Sequence, residues 1–279
     1  MPPVRVAAPS VHFVQSTRVL LAAAPTTPPC FRRWRRSSLL PNRGGLGKEM
    51  ELSAMPRAPL LAGAGTRSVT GGFSKENTMP LENKLGLTDE AALARAEEKI
   101  SKTKALELYD TGLLDAFPVG TFAGLQKIHG YLFGEIYPFA GQMRTVNIAK
   151  GNFRFAPVMY LAAALESIDR MPQSTFDEII EKYVEMNVAH PFREGNGRST
   201  RIWLDCILKK ELHQVIDWSR VDKSDYLLAM ERSPVKDVEI KALLRAALTD
   251  RITDRLVYMK GIDASYHYEG YHVFRTEDL

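Results

Sequence analysis

Twelve consecutive residues, His190-Pro191-Phe192-Arg193-Glu194-Gly195-Asn196-Gly197-Arg198-Ser199-Thr200-Arg201, bring an imidazole, a carboxylate, a Gly-Asn-Gly turn and two arginines into one short stretch. A phosphate-bearing substrate could use all of them. The imidazole of His190 titrates near neutral pH and suits a general base. A carboxylate such as Glu194 can hold Mg²⁺, which takes one or two carboxylates alongside phosphates and water. The forked guanidinium groups of Arg198 and Arg201 match phosphate oxygens. Gly195, Asn196 and Gly197 can turn successive backbone N–H groups into a concave anion nest at a helix start. Taken singly, each residue has a plain structural reading: a helix-end histidine, a first-turn acid favoured by the helix dipole, a turn, two surface arginines. Their company within twelve residues argues for chemistry.

The flanking sequence supplies the elements that must position them. Phe176, Ile179, Ile180, Tyr183, Val184, Asn187 and Val188 recur at helical spacing, so one buried face runs up to the motif. Thr175 with Glu178 forms a capping box that starts this helix. Pro191 disfavours helical geometry in the residue before it and stops the helix near Ala189. Downstream, Ile202, Trp203, Cys206 and Ile207 suit a second buried helix. The spacing predicts a helix–loop–helix within a mainly α fold, with helices over 88–108 (Thr88 as cap), 121–134, 157–170, 175–189, 197–211, 222–232, 236–249 and 250–260. Between 145 and 156 the period changes: Val146 and Ile148 alternate, Lys150-Gly151-Asn152 breaks the pattern, then Phe153 and Phe155 alternate. That predicts a short β-hairpin whose free edge could take a peptide strand.

The run His-Pro-Phe-x-Glu-Gly-Asn-Gly-Arg-x-x-Arg resembles the signature of Fic proteins, which transfer AMP from ATP to protein hydroxyls. The likeness extends to Ile128-His129, Leu132-Phe133, Ile136-Tyr137-Pro138-Phe139-Ala140-Gly141 and Arg144, and covers about residues 80–275. It implies a Fic-type helical bundle with a hairpin flap over the active site. It also implies His190 as base, Glu194 on Mg²⁺, and ATP held by Asn187, Gly195, Asn196, Gly197, Arg198 and Arg201. Lys150, Gly151, Asn152 and Phe153 would contribute from the flap, and Tyr226 and Met230 would line the adenine pocket. Relatives with Lys at position 197 act as kinases; glycine there favours AMP transfer.

Near the end of the sequence, Ser265-Tyr266-His267-Tyr268-Glu269-Gly270 resembles the inhibitory motif Ser/Thr-x-x-x-Glu-Gly/Asn of the self-inhibited subgroup, on a helix expected at about 262–274. There Ser265, Glu269 and Gly270 would be regulatory, with Glu269 competing for the γ-phosphate site at Arg201. Tyr266, Tyr268 and Tyr271 are candidates for self-modification. The resemblance implies a target protein presenting a hydroxyl near the flap, and association into homo-oligomers in some members. An inactive peptide-binding scaffold and a de-AMPylase stay open as alternatives.

Composition narrows the rest. The 279 residues carry a net charge of +4, yet residues 1–48 alone hold seven Arg and one Lys without an acid, so residues 49–279 sum to −4. The high pI belongs to the leader, which argues against nucleic acid as a partner of the body. Residues 1–78 are rich in Pro, Gly, Ser, Ala and Arg and are expected to be disordered or a mis-assigned start. Import into an organelle is the minority alternative. Residues 79–279 are expected to form the Fic domain. Two cysteines, Cys30 and Cys206, exclude a disulfide framework. No apolar run approaches the roughly 18 residues of a membrane span, so a cytoplasmic location is expected.

Overall fold

The computed structural model describes residues 81–150, 153–271 and 273–279. The expected leader, residues 1–78, and the flap residues Gly151 and Asn152 lie outside the described residues.

Helix α1 (Glu90–Asp110) starts one residue later than expected. Asp89, not Thr88, is its cap, accepting the Ala92 N–H at 2.6 Å; an N-cap aspartate is favoured over threonine. Helix α2 (Phe122–Phe133) is capped by Thr121, and α3 (Val158–Asp169) follows Pro157, which cannot extend a helix backward. The capping box of Thr175 and Glu178 opens α4 (Phe176–Ala189) as the spacing predicts. Helix α5 (Asn196–Leu212) carries the second half of the motif.

Helices α6 (Lys223–Arg232) and α7 (Val238–Ala246) close one side. The helix expected over 236–249 ends early because Leu248–Thr249 (β4) pairs antiparallel with Val215–Ile216 (β3). That partner lies more than thirty residues away, so periodicity alone does not reveal it. The expected helices at 250–260 and 262–274 are one helix, α8 (Arg255–Tyr268), capped by Asp254 on the Leu256 N–H at 2.9 Å. Gly261 does not break it. A Cβ there would meet Trp218 Cδ1 at 3.1 Å, so this glycine is a packing notch. Gly270, at φ 96°, ends the run, and residues 271, 273 and 274 are not helical.

The core lies where α2, α4 and α5 meet. Leu125, Ile128 and Leu132 face Ile179, Ile180 and Tyr183 and the α5 residues Trp203, Leu204, Ile207 and Leu208, all buried. Helix α8 adds Ile262, Tyr266 and Tyr268 to the same core. The flap is a hairpin of two-residue strands, β1 (Ala149–Lys150) and β2 (Phe153–Arg154), with Ala149 opposite Arg154. It is shorter than the expected 145–156, because Arg144 takes the Val146 carbonyl at 2.8 Å and keeps it out of the ladder.

Candidate active site

The site is the loop between α4 and α5. His190 is the C-cap of α4 in the left-handed region (φ 49°), which swings its ring off the helix. Its Nδ1 lies 3.2 Å from the Asn187 carbonyl oxygen. A carbonyl only accepts, so Nδ1 carries the proton and Nε2 keeps a lone pair. The ring stacks on Phe155 at 3.7 Å between centroids. Burial pushes its pKa down to about 4, despite the Asn187 hydrogen bond and the Glu269 charge. Asn187 thus orients the imidazole through its backbone oxygen.

The loop after His190 is locked from inside. Asn196 holds both polar groups of Phe192: its Oδ1 accepts the N–H at 2.8 Å and its Nδ2 donates to the carbonyl at 2.7 Å. Its side chain is thus a clamp, and only its backbone N–H is left for an anion. Gly195 is the helix N-cap at φ 73°, and a Cβ there would meet Phe133 Cε2 at 2.5 Å. No side chain caps the first turn of α5, which leaves its N-terminal amides for an anion.

Two residues that single-residue reasoning passes over hold this loop. His129 is fully buried. Its Nδ1 accepts the Gly141 N–H at 2.9 Å, so its Nε2 donates to the Glu194 carbonyl at 2.8 Å. Burial pushes its pKa down to about 3, so the ring stays neutral. Arg144 is buried, and among the described residues it makes no carboxylate contact. Its Nε donates to the His190 carbonyl at 2.8 Å, and its Nη atoms reach the carbonyls of Val146, Ala156 and Ala189. One guanidinium thus ties both feet of the flap to the backbone of the base.

The arginines are both buried. Arg198 pairs with Glu97 and, at 3.0 Å, with Glu194, and lies over the rings of Phe133, Tyr266 and Tyr271. Glu97 also accepts from Tyr137 and Tyr271. A sequence signal for Glu97 exists: with Leu93, Ser101 and Ala105 it repeats every four residues, which puts an acid on the buried face of α1. Arg201 reaches Glu269 at 3.2 Å and Ser265 Oγ at 3.2 Å. Among the described residues, each arginine keeps its Nε–H without a hydrogen-bond partner.

Glu269 stands at the C-cap of α8, and its Oε2 lies 3.4 Å from the exposed Lys150 Nζ of the flap. Burial opposes its ionisation, but Arg201, Lys150 and Arg198 hold its carboxyl below the ordinary value. The Glu269 Oε1 occupies the space that a Cβ on Gly197 would need.

Other expected residues fall elsewhere. Tyr226 hydrogen-bonds Tyr183 and stacks on Tyr268 at 5.1 Å, beneath the Arg201 guanidinium. It supports the arginine in an aromatic shelf. Met230 is in the core. The candidate modification sites are sequestered: Tyr266 is buried, Tyr268 donates to the Val221 carbonyl at 2.6 Å, and Tyr271 donates to Glu97 at 3.0 Å. Phe153 packs edge-on against Phe155 at 5.1 Å.

The sequence pattern of the Fic/DOC family matches residues 121–208, the span of α2 through the first three turns of α5. The chain carries a Fic domain. Over 199 residues it is 31% identical to the protein adenylyltransferase VbhT of Bartonella schoenbuchensis, covering 66% of this chain and 40% of that protein. It is 29% identical over 168 residues to a probable protein adenylyltransferase, y4lH, of Sinorhizobium fredii, covering 56% of this chain and 84% of the relative. The fold matches that of the BepC effector of Bartonella tribocorum with bound AMPPNP (TM-score 0.50, 19% identity, 62% of this chain and 94% of the other). It also matches a Fic domain of Bartonella quintana with bound ADP (TM-score 0.51, 20% identity, 63% and 93%). Among the described residues no helix is long and apolar enough to cross a membrane, and no cluster of three or more His, Cys, Asp or Glu could hold a metal alone.

Proposed function

We propose that this Fic domain belongs to a protein adenylyltransferase held in a self-inhibited state. The observation that carries the reading is the contact of Glu269 with Arg201 and Ser265 over Gly197, at a helix N-terminus that is otherwise suited to a phosphate. The carboxylate occupies the place where a γ-phosphate would meet Arg201.

In the reaction, a Tyr, Ser or Thr hydroxyl of a target protein attacks the α-phosphorus of ATP. The new O–Pα bond forms as the bond from Pα to the β-bridging oxygen breaks, and pyrophosphate leaves. The hydroxyl proton passes to Nε2 of His190, a contribution of about 10²–10⁴-fold for a general base. Arg198 and Arg201, with their unpartnered Nε–H groups, neutralise the phosphates. The Glu194 Oε1 is engaged by Arg198 and the Gly195 N–H, which leaves Oε2 for Mg²⁺. When bound, that ion would supply charge neutralisation to the phosphates. One carboxylate suffices, because nucleotide and water provide the remaining ligands. The target strand adds to the exposed β1–β2 flap.

Transfer of label from α-labelled ATP into a lysate tests this. Wild type labels weakly, Glu269→Gly strongly, and Glu269→Gly/His190→Ala not at all. Folded protein that labels nothing as Glu269→Gly rejects the reading.

A further inference from the structure

A cavity opens on one face of α5. It has a volume of about 340 Å³ and lies between α5, α8 and the β3–β4 region, near the lower end of the roughly 300–1,000 Å³ typical of small-molecule sites. Its wall is largely apolar, with Ile202, Val257, Ile262 and the Tyr258 ring stacked on Tyr109 at 4.7 Å.

One acid breaks this surface. Asp205, on the cavity wall, accepts the Ile216 N–H and Trp218 Nε1–H, each at 2.9 Å. Both donors are neutral, and among the described residues Asp205 makes no ion pair. Of the cations on the same wall, Lys209 is committed to Asp115, Arg251 to Asp217 and Asp254, and Arg201 to Glu269, while Lys210 makes no ion pair among the described residues, with Asp205 or with any other acid. Burial pushes the Asp205 carboxyl up to about 7, as expected where a charge lacks compensation.

We propose that this cavity is a binding site for a compact, apolar amine, whose ammonium pairs with Asp205 while its body fills the space against Ile202, Val257 and Tyr258. An ammonium supplies both the missing charge and N–H donors for the remaining lone pairs of the carboxylate. An anionic ligand of the same size would meet Asp205 with like charge. The site stands independently of the proposed reaction, although Arg201 and Ser265 form part of its wall, at the back of the inhibitory contact.

Calorimetric titration of the full chain with phenethylamine, and with 3-phenylpropanoate as the size-matched acid, tests the proposal. The amine should bind at least about tenfold more tightly than the acid, equivalent to about 1.4 kcal/mol. Asp205→Asn should erase that preference. Ile252→Trp, which places an indole at a half-buried wall position, should remove binding whatever the effect of the first variant on folding. No saturable binding of the amine, equal binding of the acid, or binding that survives both variants overturns it.

Discussion

The tautomer of His190 follows from a single contact. The Asn187 carbonyl fixes the proton on Nδ1, and burial depresses the pKa to about 4. A base whose folded pKa is lowered is neutral, and competent, at all pH values above it. The acid limb of kcat/KM for Glu269→Gly is therefore expected near pH 4, or slightly below because the Glu269 charge that raises this pKa is gone; a limb near 6.5 would contradict it. The sign for stability is the same. Between the ordinary value of 6.5 and about 4 the unfolded chain binds the proton that the folded ring refuses, so stability falls as pH drops through that window. His129 makes a purely structural prediction. His129→Phe leaves the Gly141 N–H and the Glu194 carbonyl buried without partners, at about 1–3 kcal/mol each, measurable as a lowered urea midpoint. At this scale the sequence was most informative where chemistry is contiguous, as in residues 190–201. It marked His129 and Arg144 as part of the likeness but gave neither a role, because each acts on backbone 65 and 46 residues away, and composition carries no trace of which carbonyl a buried donor will find. For Tyr226 the helical position was legible, but not that Arg201 would lie over its ring.

At the scale of elements, α8 and the segment after it form a strap over α1. Adjacent acids on α1 divide the work. Glu97 holds Arg198 and Tyr271, while Glu98 accepts the N–H groups of Val273 and Phe274. Buried Lys102 bridges Glu98 at 3.1 Å and Asp263 at 3.0 Å and donates to the Phe274 carbonyl. Asp263 in turn accepts from Thr276. Glu269 sits between these anchor points. Removing one member of a buried charge cluster costs about 3–5 kcal/mol, so Lys102→Met should loosen residues 262–276. Faster amide exchange there, together with AMP labelling between that of wild type and Glu269→Gly, is the expected result. Unchanged exchange would show that the strap does not hold the helix. Sequence period located the main helices within two or three residues, because capping residues and Pro191 are local signals. It split α8 at Gly261, because a glycine that admits Trp218 looks the same in one dimension as a glycine that ends a helix.

At the scale of the whole molecule, the proposed inhibition makes silencing and ligand binding one equilibrium. If Glu269 and ATP compete for Arg201, ATP stabilises the wild-type fold little, whereas Glu269→Gly should gain about 2.7 kcal/mol at a ligand concentration 100 times Kd. Thermal denaturation with and without Mg²⁺-ATP distinguishes the two, and equal shifts would exclude competition. The strap has a further meaning in time. Glu269 follows Arg201 by 68 positions, a gap of roughly 3–14 seconds at ordinary rates of translation. Yet α8 also brings Ile262, Tyr266 and Tyr268 to the core. The helix that completes this core is thus the one that carries Glu269 to Arg201. On the proposed reading, completing the fold and silencing the site would be a single event.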